Sequence, residues 1–356
     1  MKNESMATIV VRHLHHHSKN ALATGAEISQ LVVNCVDTVS CEPAWMTSAK
    51  PVRAFGGANA RTCASSTRKS PQTLALRRLR SPKPVLIVPG FLADASDYET
   101  LATCLNKRGL QAAVAPVRWY HWLPCLGGRS VRPVMDRVYA SLVALLYEGP
   151  DAVSTLEQDQ YGWVDFAQEM ADASKGAWTG GSKLIESMPE RRPLRRKASI
   201  VGHSAGGWIS RIMLGDLPYG EYSYDAARYA DRLITLGTPH TSVDGITKKN
   251  LDFVNLNYPG AFEEGVNYVC VAGRAVRGST KGVLRDFAYQ SYELCCGSGE
   301  VWGDGVTPEE CALALEDALV QKVVLEDVFH SPTAEKTGRL WYGSEDVLDS
   351  WTEYLF

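Results

Sequence analysis

Ala198-Ser-Ile-Val-Gly-His-Ser-Ala-Gly-Gly207 carries the most specific local pattern in the chain. Ser199-Ile200-Val201 is a short apolar run that suits a buried strand, and Trp208-Ile-Ser-Arg-Ile-Met-Leu214 reads as a helix. Between them Gly202-His203-Ser204-Ala205-Gly206 matches G-x-S-x-G, in which a serine stands on a sharp strand-to-helix turn with its hydroxyl exposed. Side chains two places from that serine would collide with neighbouring backbone, and Gly202 and Gly206 remove those collisions. A bare G-x-S-x-G also arises as an ordinary Gly/Ser turn. The strand before it and the helix after it supply the context of a nucleophile elbow.

Working outward, Pro84-Val-Leu-Ile-Val-Pro-Gly-Phe91 is an apolar strand ending in a Pro-Gly turn. Asp97 to Arg108 has helical spacing, with Leu101, Cys104 and Leu105 on one side and Gly109 to close it. Gln111 to Val117 is the next strand, so the segment is a βαβ unit and predicts a parallel sheet. Trp119 to Gly128 reads as an aromatic, Gly-rich loop. Pro133 opens a helix with Val134, Val138, Leu142, Leu145 and Leu146 on one face. Residues 149–197 carry weak signals. The basic run Arg191-Arg-Pro-Leu-Arg-Arg-Lys197 reads as a solvated approach to the elbow strand, with an anionic-lipid contact as the alternative. Further strands are expected at Arg232–Leu236, Asn267–Gly273 and Lys322–Glu326, and helices at Pro308–Val320 and Ser344–Leu355. The pattern predicts an α/β fold: a mostly parallel central sheet, helices on both faces, and the serine turn in the middle.

The 356 residues carry a net charge of −3, which conceals an asymmetry. Residues 1–83 hold 12 Lys and Arg against four acidic residues, and the remainder holds 25 against 36. A basic, acid-poor, Ser/Thr/Ala-bearing start fits an organelle transit peptide. We therefore expect residues 1–80 to be a disordered leader, with a plain basic tail as the alternative, and residues 81–356 to be the folded domain. Its lack of a long apolar core argues against secretion. His13 and His15-His16-His17 fall in this leader and read as filler. No apolar run approaches the roughly 18 residues that span a bilayer. The acidic body argues against a nucleic-acid partner. Nine cysteines, none in a metal-type C-x-x-C pair, read as thiols in a reducing compartment, with adjacent Cys295 and Cys296 as a redox-sensitive alternative. No metal cluster, phosphate loop or dinucleotide fingerprint stands out, so no cofactor is expected.

A serine hydroxyl attacks only when a base takes its proton, and the base needs an acid to fix its tautomer. In a strand–turn–helix elbow the partners follow in the order Ser, Asp/Glu, His. Of the eight histidines only His240 and His330 lie beyond Ser204. His330 follows the last predicted strand on a loop and is the better base; His240 follows an earlier strand and suits the floor of a pocket or a loop cap. For the acid, Gly303-Asp304-Gly305-Val306-Thr307-Pro308 lies between the penultimate strand and that loop, although Asp-Gly is also a common turn. Asp327 is too close to His330 for a good approach, and Asp286 falls in a predicted helix. The oxyanion hole needs two backbone N–H groups, which Ala205 and, after the first strand, Phe91 would supply. Trp119-Tyr120-His121-Trp122 would line an apolar pocket or lid, or belong to the core.

With those residues in place, the chain resembles α/β-hydrolase lipases and esterases of the inositol-deacylase-like group. The resemblance rests on Val88-Pro-Gly-Phe91, Gly202-His-Ser-Ala-Gly-Gly207, Leu236-Gly-Thr-Pro-His240, Gly303-Asp-Gly-Val306 and Phe329-His330, spread over about 245 residues in the family's order. Within that group it looks like plastid-directed plant and algal members and their cyanobacterial relatives, galactolipid or acylglycerol lipases among them. The resemblance implies cofactor-free hydrolysis of carboxylic esters; the aromatic stretch Trp119–Trp122 suggests an acyl-lipid or apolar ester substrate, the basic run before the elbow a peripheral contact with a membrane surface, and the leader a plastid location. One departure is Pro89, where many such lipases carry histidine. Two other readings fit the same residues: an acyltransferase or thioesterase on the same triad, and a hydrolase-fold binding protein with little turnover.

Overall fold

Six strands form the centre: β1 (Pro84–Val88), β2 (Gln111–Val114), β3 (Ala198–His203), β4 (Ala230–Leu236), β5 (Asn267–Arg274) and β8 (Gln321–Glu326). The sheet order is β2-β1-β3-β4-β5-β8, and every neighbouring pair is parallel. This is a computed structural model, and it describes residues 82–126, 130–156, 185, 188, 196–244 and 248–356. The expected leader and most of the basic run before β3 lie outside the described residues.

The central strands β1 and β3 are short, mostly apolar runs because both faces of the sheet are covered there, whereas edge strand β8 exposes Gln321, Lys322 and Glu326. All of β1 and β3 is buried. Alternation within β1 sends Leu86 and Val88 into one core and Val85 and Ile87 into the other. The first core takes α2 (Arg132–Tyr147) and α3 (Ala205–Leu214), with Val134, Val138, Leu142, Ile209 and Met213 packed inward. The second takes α1 (Glu99–Lys107) and the carboxyl-terminal segment, through Leu101, Leu105, Trp341, Trp351 and Leu355. Helix α4 (Lys248–Asn257) follows β4. Beyond β5 the chain leaves the sheet for an antiparallel pair, β6 (Val276–Arg277) and β7 (Trp302–Gly303), which brackets α5 (Val283–Cys296). A last parallel pair, β9 (Val328–Phe329) and β10 (Leu340–Trp341), closes the fold.

Four expected elements differ. The second strand stops at Val114 rather than Val117 because Pro116 has no N–H for the ladder. The stretch after it is not a loop but a 3-10 turn, Trp119–Trp122, running into a short helix, Leu123–Leu126, with Trp122 fully buried. The helix expected over Pro308–Val320 is helical only at Glu309–Ala312. A continuing helix would put Leu315 and Leu319 on one face, whereas the fold buries Leu315 and leaves Leu319 82% exposed as the chain enters β8. The closing helix is likewise broken into Glu345–Leu348 and a 3-10 turn, Thr352–Leu355. Between them Trp351 turns inward, fully buried, and its indole donates to the Tyr342 carbonyl at 2.9 Å.

Candidate active site

The carboxyl ends of the parallel strands point to one edge of the sheet, where ligands meet open α/β sheets. Ser204 lies there, directly between β3 and α3. Its backbone is held at φ 53° and ψ −125°, a conformation costly for a residue with a Cβ. The surroundings over-determine it: its N–H donates to the Leu236 carbonyl at 2.9 Å, and its own carbonyl accepts the Thr238 hydroxyl at 2.8 Å. The turn is also too tight for side chains around it. A Cβ on Gly202 would stand 2.6 Å from the Gly207 Cα, and one on Gly206 would strike the Val88 carbonyl. The two glycines are thus needed for close approach, as the sequence predicts. Ala205 is the first residue of α3, so its N–H belongs to the unsatisfied, electropositive helix start.

Asp304 follows β7, and His330 follows β9. The structure brings them together: His330 Nδ1 lies 2.7 Å from Asp304 Oδ2, and the His330 N–H donates to the Asp304 carbonyl at 3.0 Å. The carboxylate is 1% exposed. Its Oδ1 accepts the Val306 and Thr307 N–H groups at 3.0 and 2.7 Å. A carboxylate only accepts, so the proton of the shared bond sits on His330 Nδ1.

His203, immediately before Ser204, ties three loops together. Its Nε2 is 2.9 Å from the His330 carbonyl, which can only accept, so Nε2 carries the proton. Its Nδ1 therefore accepts the Tyr98 hydroxyl at 2.7 Å, and the Tyr98 oxygen accepts the Gly90 N–H at 2.9 Å. Burial, and then the neighbouring His330, hold His203 well below the ordinary histidine range, which keeps it neutral. Its ring centroid is 4.7 Å from that of His330. The turn after β1 is thereby fastened to the elbow, and Gly90 spends its N–H on Tyr98. Phe91, next along that turn, packs edge-on against Trp122 at 5.6 Å. The aromatic stretch thus provides core packing beneath this turn.

The remaining candidates lie apart from this constellation. His240 is buried, with Nε2 3.3 Å from the Thr235 hydroxyl and 3.5 Å from Cys270 Sγ. Asp286 is in the first turn of α5, and Asp327 makes a positive-φ turn between β8 and β9. Cys295 and Cys296 end α5 as free thiols, and burial raises both, Cys296 to about 12, which disfavours the reactive thiolate. Two site residues have no sequence signal. Tyr98 and Tyr342 reach His203 and Asp304 from 105 and 38 residues away, a pairing that no local pattern encodes.

No protein-family model matches the chain, and no curated protein does. Among solved structures the chain is similar to the crystal structure of Bacillus licheniformis lipase BlEst2 in mature form. That match has 16% sequence identity and a TM-score of 0.40, and covers 72% of this chain and 89% of that one. The fold assignment comes from the strand order. A parallel β2-β1-β3-β4-β5-β8 sheet with a strained serine at the end of its central β3 is the α/β-hydrolase arrangement.

Proposed function

We propose that this protein is a serine ester hydrolase with Ser204, Asp304 and His330 as its triad, acting on an acyl lipid or another apolar ester. The observation that carries the reading is the buried Asp304–His330 pair tied to the strained Ser204 turn through His203. Asp304 holds the proton on His330 Nδ1, so Nε2 is the base that takes the Ser204 proton. The freed oxygen attacks the ester carbonyl carbon, and the carbonyl oxygen gains the electron pair. The N–H groups of Ala205 and Phe91 meet that charge. His330 then gives its proton to the departing alcohol as the C–O bond breaks. A water, deprotonated by the same ring, releases the acid from Ser204. Partly buried Phe91 and Trp119 give the turn an apolar character that suits an acyl chain.

A fluorophosphonate probe tests the nucleophile. The wild type labels, Ser204→Ala does not, and ester turnover falls by at least about 10³-fold in that variant. Failure of the wild type to label, or equal labelling of Ser204→Ala, removes the hydrolase reading. Incubation with galactolipid and acylglycerol mixtures reads the substrate class: fatty acid released by wild type and not by Ser204→Ala supports a lipase, and no release leaves only smaller esters.

A further inference from the structure

Asp304 receives more donors than a histidine partner alone would supply. Besides the His330 ring, its Oδ2 accepts the Tyr342 hydroxyl at 2.7 Å. The Tyr342 oxygen in turn accepts the Gly273 N–H at 2.7 Å, so its proton is directed to the carboxylate. Tyr342 is fully buried just past β10. Burial, and then the Asp304 charge, hold its hydroxyl well above the ordinary tyrosine range, so it remains a donor wherever the fold survives. The chain also reserves space for the pair. A Cβ at Gly237 would stand 2.6 Å from Asp304 Oδ2 and 2.8 Å from the Tyr342 oxygen.

We propose that Tyr342 is a positioning residue that sets how strongly Asp304 holds the proton on His330. Two donors share one carboxylate oxygen, and each draws on the negative charge that the other uses. With Tyr342 in place Asp304 is the weaker partner for a protonated ring. Near the pair, among the described residues, are His203, which is neutral, with Tyr98 behind it; Tyr292 and Cys295 on α5, both within reach of the Asp304 charge; and Arg339, which lies over the adjacent Phe329 ring at 4.9 Å. Only the kinetic part of the inference rests on the hydrolase reading.

Two readouts test it. In Tyr342→Phe the downfield proton resonance of the His330–Asp304 bond moves further downfield, and the acid limb of the kcat/KM profile moves up by about half a pH unit with KM unchanged. Well below that limb the shift appears as an approximately threefold loss of rate. Site-specific 3-fluorotyrosine at position 342 keeps the packing and donates more strongly, so both readouts move the opposite way. That variant decides the matter if Tyr342→Phe does not fold. An unmoved resonance, or two variants that move it in the same direction, overturns the proposal, as does a loss of activity with no shift in either readout. If the protein hydrolyses no ester, the hydrolase reading falls and the resonance alone decides the role of Tyr342.

Discussion

Ser204 holds a backbone conformation that few residues adopt, and its neighbours leave it no alternative. The Leu236 carbonyl at the end of β4, the Thr238 hydroxyl and the first turn of α3 each bind its backbone. Gly206 is the sharpest constraint, because the obstacle to a side chain there is the Val88 carbonyl, which is backbone of the central sheet and cannot rotate away. Gly206→Ala should therefore cost about 3 kcal/mol of stability by overpacking. It should also displace the elbow relative to the turn after β1. Urea denaturation checks the first effect, and fluorophosphonate labelling rate the second; a variant as stable and as reactive as wild type refutes the steric account.

At the scale of elements, the site depends on three loops held at fixed separation. The turn after β1, the elbow after β3 and the loop after β9 are joined by one chain of hydrogen bonds from Gly90 through Tyr98 and His203 to His330. Each link has a defined proton, since the two ends are a backbone donor and a backbone acceptor. Tyr98→Phe leaves the Gly90 N–H and His203 Nδ1 without their partner in a buried setting. We expect a loss of about 2 kcal/mol and a fall in kcat of about tenfold with little change in KM. Thermal unfolding and steady-state kinetics measure the two, and an equal effect on kcat and KM would show that the link does not organise the loops.

Across the whole molecule, the described residues include three buried neutral histidines, His121, His203 and His240, each held well below the ordinary range chiefly by burial. On unfolding each returns to its usual range and takes up a proton below about pH 6.5. The folded state binds fewer protons there, so these groups contribute stability that is fully present above that pH and is lost as pH falls through it. With all three titrating, the loss approaches about 4 kcal/mol per pH unit. Urea denaturation at pH 7.5 and pH 5.5 reads this directly, and His240→Gln should remove about a third of the slope. A slope unchanged by that substitution would mean that His240 is not neutral in the fold.

The sequence by itself determined what local chemistry decides. The apolar runs of β1 and β3 and the glycines flanking Ser204 were legible, because steric clash and strand burial act within a few residues. The α/β architecture followed from the same runs. The structure sets Asp304 against His330. Tertiary structure decided the rest. Leu315 and Leu319 carry helical spacing, yet packing beside β5 buries one and exposes the other. Trp351 interrupts a helix-like segment because the core beneath Tyr342 has room for its indole. Tyr98, His203 and Tyr342 acquire their partners only when loops far apart in sequence meet at one edge of the sheet. A hydroxyl or a ring nitrogen has no directional meaning in the chain. Its role is set when folding removes water and leaves a single partner within reach.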